Sequence, residues 1–125
     1  MKDTSDLAAI LVSVVDDDES MRESLPDLVR TFGFSAAAFS SAEAFLQSGR
    51  IEQTKCLILD VNMPGMTGPA LMQELRQRGV RIPVVLITAH AETVKPDIVA
   101  GAAAFLVKPF NDTALHEALK KALGL

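Results

Sequence analysis

A length of 125 residues suits one domain with one core, and a composition of 49% hydrophobic and 22% charged residues is typical of a globular protein. The net charge of -4, without a cluster of Lys and Arg, argues against general nucleic-acid binding. The single cysteine, Cys56, excludes an internal disulfide, and no apolar run approaches the ~20 residues of a membrane-spanning helix. No signal peptide is visible, so we expect one soluble, cytoplasmic domain over residues 1–125.

Strands and helices alternate along the chain. The first half predicts a strand over Ala8–Val15, a helix over Glu19–Phe32, a strand over Ala36–Phe39, a helix capped by Ser40 or Ser41, and a strand over Cys56–Val61. The second half predicts a helix around Leu71 and Leu75, a strand over Pro83–Thr88, a helix over Val94–Ala100, a strand over Phe105–Val107, and a helix capped by Asn111. We expect His116, in the last helix, to be solvent-exposed.

Five strands that alternate with helices predict a parallel sheet covered on both faces. The runs Ala8–Val15 and Cys56–Val61 are the most apolar and should be central. Right-handed crossovers then favour the flavodoxin-like strand order 2-1-3-4-5. The predicted fold class is therefore α/β, a single flavodoxin-like (βα)5 domain.

The carboxyl ends of parallel strands lie at one edge of the sheet, where ligands bind. Strand 1 ends at Asp16 and Asp17, strand 3 at Asp60, strand 4 at Thr88, and strand 5 at Lys108. Three carboxylates that converge require protons or a cation, and carboxylate oxygens beside phosphate suit Mg²⁺. An ammonium and a hydroxyl are the groups that a transferred phosphoryl group needs. A carboxylate can itself be the nucleophile and form an acyl phosphate.

Each of these residues also has a structural interpretation when taken alone. Acids that precede a helix are common as caps and as partners of the helix dipole, and this is the alternative role of the run Asp16–Asp18. Thr88 alone is a β-branched strand residue, and Lys108 alone is a solvated charge. Four groups of the required types at four strand ends favour the joint chemical interpretation.

Four segments resemble the signature motifs of response-regulator receiver domains from two-component signalling. They are VVDDD at 14–18, LDVNMPGMTG at 59–68, ITA at 87–89 and KPF at 108–110. The resemblance covers the chain from Ile10 to Leu123. The segment FSSAEAFL at 39–46 is similar to the FixJ-type subgroup in particular.

The resemblance implies that Asp60 accepts a phosphoryl group from the phosphohistidine of a sensor histidine kinase or a phosphotransfer protein. It implies that Mg²⁺ is bound by Asp17 directly, by Asp16 through water, by Asp60, and by the backbone carbonyl of Asn62. Lys108 then pairs with the phosphoryl group. The protein is expected to be a signalling switch with slow autodephosphorylation rather than an enzyme, and a homodimer formed on phosphorylation is a possible further assembly.

The resemblance also implies a switch. Thr88 shifts to hydrogen-bond the phosphoryl group, and Phe105 turns inward as Thr88 moves. The Lys108–Pro109 bond is commonly cis in the family. Asn62 and His90 occupy positions that tune dephosphorylation in the family, although His90 is more simply explained as an ordinary loop residue.

Three departures from the family pattern are visible. The interval from Thr88 to Lys108 is slightly short and carries Pro96, so the fourth helix is expected to be shortened or irregular. Phe105 has no hydroxyl, so a switch there relies on packing alone. FixJ-type regulators usually continue into a helix-turn-helix domain, which is not part of this sequence.

Three other functions fit the same residues less well. A phosphatase or phosphotransferase would need an acid two residues after its nucleophile, but Asn62 stands there and cannot protonate a leaving group. A receiver-shaped adaptor that works without phosphorylation is disfavoured by the intact set of Asp60, Thr88 and Lys108. A flavin-binding protein is disfavoured because the chain has no Trp or Tyr to stack on a ring.

Overall fold

The computed structural model describes residues 4–125, with side chains from Asp6 onward. Its five strands are β1 Leu11–Val15, β2 Ser35–Phe39, β3 Thr54–Asp60, β4 Val84–Thr88 and β5 Ala104–Val107. All four pairings are parallel, in the order β2-β1-β3-β4-β5, which confirms the predicted topology. The two most apolar strands, β1 and β3, are neighbours inside the sheet, so their ends are brought side by side.

The helices are α1 Glu19–Thr31, α2 Ala42–Gln47, α3 Gly68–Gln77, α4 Pro96–Ala100 and α5 Asp112–Leu123. A four-residue helix, Thr4–Leu7, precedes β1, and a 3₁₀ turn, Ala91–Thr93, precedes α4. Four of the five helices begin at a side-chain cap, because an unpaired backbone N–H of the first turn is satisfied there. The capping residues are Asp18, Ser41, Thr67 and Asn111.

Alternating side chains of the strands fill two cores, one on each face of the sheet. Val12, Val14 and Ile58 pack with α1 and α5 on one face, together with Leu25, Val29, Leu115 and Leu119. Val15, Leu57 and Leu59 pack with α2 and α3 on the other face, together with Phe45, Leu71, Met72 and Leu75. Burial on both faces explains why the strands are continuous apolar runs rather than alternating ones.

The first strand is shorter than predicted. It begins at Leu11 rather than Ala8, because the chain is still turning out of the helix Thr4–Leu7 and the Ile10 N–H donates to the Leu7 carbonyl at 2.9 Å. Apolar residues alone did not distinguish that turn from a strand. β3 is also shifted, since it begins at Thr54 and ends at Asp60.

The fourth helix is shortened, as predicted, and it starts later than Val94. Pro96 occupies its first position, where a fixed φ and a missing N–H are tolerated. Lys95, which precedes the proline, is extended with ψ 145°, because the ring of Pro96 disfavours the helical conformation there. Five residues therefore remain for α4.

His116 is not simply solvated, contrary to expectation. Its ring stacks on Phe32, the residue that follows α1, with centroids 4.2 Å apart and planes 8° from parallel. The stack joins the end of α1 to α5. Among residues 4–125, no helix is long and apolar enough to cross a membrane.

Candidate phosphorylation site

The loop after β1 supplies three consecutive carboxylates with different surroundings. Asp16 is fully buried, and its Oδ1 accepts the N–H of Asp18 at 2.9 Å. Asp17 is exposed. Asp18 caps α1 by accepting the N–H of Ser20 at 2.9 Å, and the hydrogen bonds from the Ser20 side chain and backbone hold the pKa of Asp18 below its ordinary value. The capping interpretation therefore applies to Asp18, whereas Asp16 and Asp17 remain available.

The carboxylate of Asp60 joins Asp16 and Asp17 at the sheet edge. β3 lies beside β1, and one oxygen from each of the three residues lies within 4.8 Å of the others. Asp60 is only 5% exposed, so water screens its charge poorly. Three oxygen ligands that converge in this way fit a hard divalent cation such as Mg²⁺.

Lys108 supplies a positive charge to the same cluster. Its Nζ donates to Asp16 Oδ2 at 3.0 Å and lies 4.0 Å from Asp60 Oδ1. The Lys108–Pro109 peptide is cis, as predicted. The sequence predicted Lys108 at this edge but not that its closest carboxylate is Asp16. The ammonium partly compensates the charge that the converging carboxylates would otherwise carry alone.

The protonation of Asp60 is set by these neighbours. Burial raises the pKa of Asp60 from 3.8 to about 7, and the nearby negative charge of Asp16 contributes to the rise. The ammonium of Lys108 and the Asn62 N–H oppose it. A bound divalent cation would favour the ionised, nucleophilic form of Asp60.

Thr88 stands at the end of β4 and is fully buried. Its Oγ1 accepts the backbone N–H of His90 at 3.0 Å and the Nδ2–H of Asn62 at 3.2 Å. The backbone N–H of Asn62 also donates to Asp60 Oδ1, at 3.4 Å. The side-chain bond from Asn62 to Thr88 was not predicted, because the resemblance implied a metal-binding backbone carbonyl and a position that tunes dephosphorylation, but no contact with Thr88.

Phe105 pairs with Leu86 in the register between β4 and β5, and Thr88 pairs with Val107. Positions two apart on a strand share a face, so Phe105 and Thr88 lie on the same side of the sheet. The ring of Phe105 is half-buried against the core that contains Leu86. This placement is compatible with the predicted switch role, which stays a prediction.

Three further residues shape the loops of the site without having been predicted. The Arg22 Nη1–H donates to the backbone carbonyl of Asp16 at 3.2 Å, and Glu43 Oε2 accepts the N–H of Met66 at 3.3 Å. Gly68 begins α3 directly against β3, and a Cβ there would lie 2.4 Å from the backbone oxygen of Asp60. A residue with a side chain would therefore clash with β3 at position 68, which explains the glycine at the end of the motif LDVNMPGMTG.

Comparison with known proteins agrees with this geometry. Residues 12–120 match the family described as the response regulator receiver domain. The transcriptional regulatory protein FixJ of Azorhizobium caulinodans is 39% identical over 115 residues, which covers 90% of this chain and 54% of FixJ. The chain spans about half the length of the curated relatives it matches.

Solved structures give the same assignment. The response regulator StyR superposes with a TM-score of 0.85 at 44% identity, covering 94% of this chain and 60% of StyR. The response regulator protein TrrA of Thermotoga maritima, solved in complex with Mg(2+)-BeF, superposes with a TM-score of 0.82 at 28% identity, covering 91% of this chain and 99% of TrrA. The chain therefore belongs to the response regulator receiver domain family of two-component signal transduction, as its FixJ-type motifs indicated.

Proposed function

We propose that Asp60 accepts a phosphoryl group from the phosphohistidine of a sensor histidine kinase or phosphotransfer protein, in a Mg²⁺-dependent reaction that changes which partner the domain binds. The observation that carries the proposal is the convergence of Asp16, Asp17 and Asp60 within 4.8 Å, with Lys108 beside them. The Mg(2+)-BeF complex of TrrA supports the same assignment.

The reaction moves one phosphoryl group between two side chains. An Asp60 carboxylate oxygen attacks phosphorus, the N–P bond of the donor breaks, and the imidazole of the donor keeps the electron pair and takes up a proton. The product on Asp60 is an acyl phosphate. Nothing is oxidised or reduced, and no side chain of this protein needs to supply a proton.

Asp16, Asp17, Asp60 and the backbone carbonyl of Asn62 would hold the Mg²⁺ ion, which supplies positive charge against the incoming anionic group. Asp17 is exposed and Asp16 is buried with an ammonium partner, which suits direct ligation by Asp17 and a water-mediated role for Asp16. Lys108, 4.0 Å from Asp60 Oδ1, is within reach of a phosphoryl oxygen after a small rotation of its side chain.

The signal then leaves the site through Thr88 and Phe105. The Thr88 hydroxyl donates to the phosphoryl group, and the space it leaves lets Phe105 turn inward on the same face of the sheet. Because Phe105 lacks a hydroxyl, only its packing differs between the two states. The surface around α4 and β5 reports the change, either to another protein or to a second copy of this chain, in the cytoplasm.

Intact mass measurement tests the proposal. The protein is incubated with Mg²⁺ and acetyl phosphate, and the same is done with Asp60→Asn and with the control Asp27→Asn, which removes an exposed acid on α1. We expect one added phosphoryl group on wild type and on the control, and none on Asp60→Asn. Absence of an adduct on wild type, together with no response to beryllofluoride, would instead favour an adaptor that works without phosphorylation.

A further inference from the structure

The hydroxyl of Thr88 has two donors that come from different segments of the chain. The N–H of His90 follows β4, two residues after Thr88 itself, and donates to Oγ1 at 3.0 Å. The carboxamide of Asn62 follows β3, two residues after Asp60, and donates to the same oxygen at 3.2 Å. A hydroxyl oxygen has two lone pairs, so both are engaged.

These two bonds fix the position of the Thr88 oxygen at the end of β4. Within residues 4–125, no hydrogen bond joins the Thr88 hydroxyl to Asp60. The His90 N–H belongs to the same strand end as Thr88 and can move with it. The Asn62 carboxamide is anchored to the other strand, so a movement of Thr88 relative to β3 lengthens the bond from Asn62 alone.

We infer that Asn62 is a positioning residue whose carboxamide holds the Thr88 hydroxyl in its resting place, and that this hydrogen bond opposes phosphorylation until it breaks. The inference rests on the proposed function, in which Thr88 turns to the phosphoryl group. A bond made only in the resting state shifts the equilibrium toward that state, so its removal shifts the equilibrium toward the phosphorylated form.

The carboxamide has space to move into when it leaves Thr88. A cavity of about 290 Å³ is lined by Asn62 and lies between the loop after β3 and the short α4 region. Thr93 and Lys95 line it alongside the apolar Val94 and Ile98. An exposed Asn62 side chain that swings into this cavity meets polar groups and water rather than a closed core.

The affinity for beryllofluoride tests the inference, because it measures an equilibrium and is independent of phosphate hydrolysis. Titrations at saturating Mg²⁺ are followed by ¹⁹F NMR, since the chain has no Trp or Tyr for intrinsic fluorescence. The variants are Asn62→Ala and, as a matched loss of an exposed amide on α3, Gln73→Ala. We expect Asn62→Ala to bind about two- to tenfold more tightly than wild type, the effect of one net hydrogen bond, and Gln73→Ala to bind like wild type.

A double-mutant cycle asks whether the effect passes through the hydroxyl. Thr88→Val keeps the shape of Thr88 without its oxygen, and in that background Asn62→Ala should change the affinity by less than about twofold. An equal gain in both backgrounds would overturn the inference, as would an unchanged or weaker affinity of Asn62→Ala in the wild-type background. Wild type that binds no beryllofluoride would instead remove the proposed function, and the inference with it.

Discussion

Replacing Asp60 with Asn should stabilise the metal-free protein at neutral and alkaline pH. The carboxyl has a pKa of about 7 in the folded protein against an ordinary value of 3.8, so the folded protein binds the proton more tightly than the unfolded chain does. The free energy of unfolding of the wild-type protein is therefore highest, as far as Asp60 is concerned, when this carboxyl is protonated at low pH. It falls as the pH rises from the ordinary pKa to the pKa in the folded protein. Asn cannot ionise and avoids that loss.

The size of the effect follows from the size of the shift. A difference of about three pKa units at about 1.4 kcal/mol each gives a ceiling of about 4 kcal/mol above pH 7. Lys108 Nζ lies 4.0 Å from Asp60 Oδ1 and loses that attractive neighbour when Asp60 is replaced, so we expect a gain of about 2–4 kcal/mol at pH 8. The gain should shrink toward zero near pH 4.

Urea unfolding followed by far-ultraviolet circular dichroism measures these free energies, in buffer containing EDTA, at pH 4, 6 and 8. The variant Asp27→Asn is the control, because it removes an exposed acid with an exposed Arg30 partner. Excess Mg²⁺ should narrow the difference between wild type and Asp60→Asn by stabilising the ionised carboxylate. Equal free energies of unfolding for wild type and Asp60→Asn at pH 8, or a difference that does not depend on pH, would refute the argument that burial and the charge of Asp16 raise the pKa of Asp60.

Three other experiments have defined outcomes. Gly68→Ala should lose several kcal/mol in urea unfolding, because its Cβ would lie 2.4 Å from the backbone oxygen of Asp60. Gly101→Ala is the control and should cost under about 1 kcal/mol, because a Cβ there meets a flexible arginine at 3.4 Å and backbone oxygens at an ordinary contact distance of 3.6 Å. Lys108→Met leaves the buried Asp16 carboxylate without its ammonium partner and should lower the free energy of unfolding by about 1–3 kcal/mol in EDTA. Much of that loss should be recovered in Mg²⁺, and a loss that Mg²⁺ does not change would contradict the view that Lys108 compensates the charge of Asp16. Burial raises the pKa of the Cys56 thiol to about 12, so this thiol should react with a disulfide reagent only as the protein unfolds. Prompt labelling of the native protein would instead show that the thiol is accessible.

The fold and the members of the site were predictable because they depend on local patterns and on one topological rule. Apolar runs and helical spacing are properties of neighbouring residues, and parallel strands bring their ends to one edge. Asp16, Asp17 and Asp60 could therefore be placed together although strand 1 was predicted three residues too long. The exact start of β1 depends on a turn around Ile10 that composition does not specify.

Pairings between side chains within the site could not be predicted. Lys108 is 92 residues from Asp16, and its choice of that carboxylate over Asp60 depends on rotamers and burial. The bond from Asn62 to Thr88 depends in the same way on how one loop folds back over another strand. Neither contact has a sequence signature of its own.

The short α4 has a consequence for how a signal can cross this region. A helix of five residues is roughly 7.5 Å long, and almost every backbone group in it belongs to one of its two ends. Such a segment holds few hydrogen bonds of its own and depends on Val94 and Ile98, which pack against the core on the α2 and α3 face of the sheet. The helix α4 is too short to move as a rigid rod, so we expect it to respond to phosphorylation by winding or unwinding. A partner would then recognise whether this helical turn is formed rather than where a helix has moved.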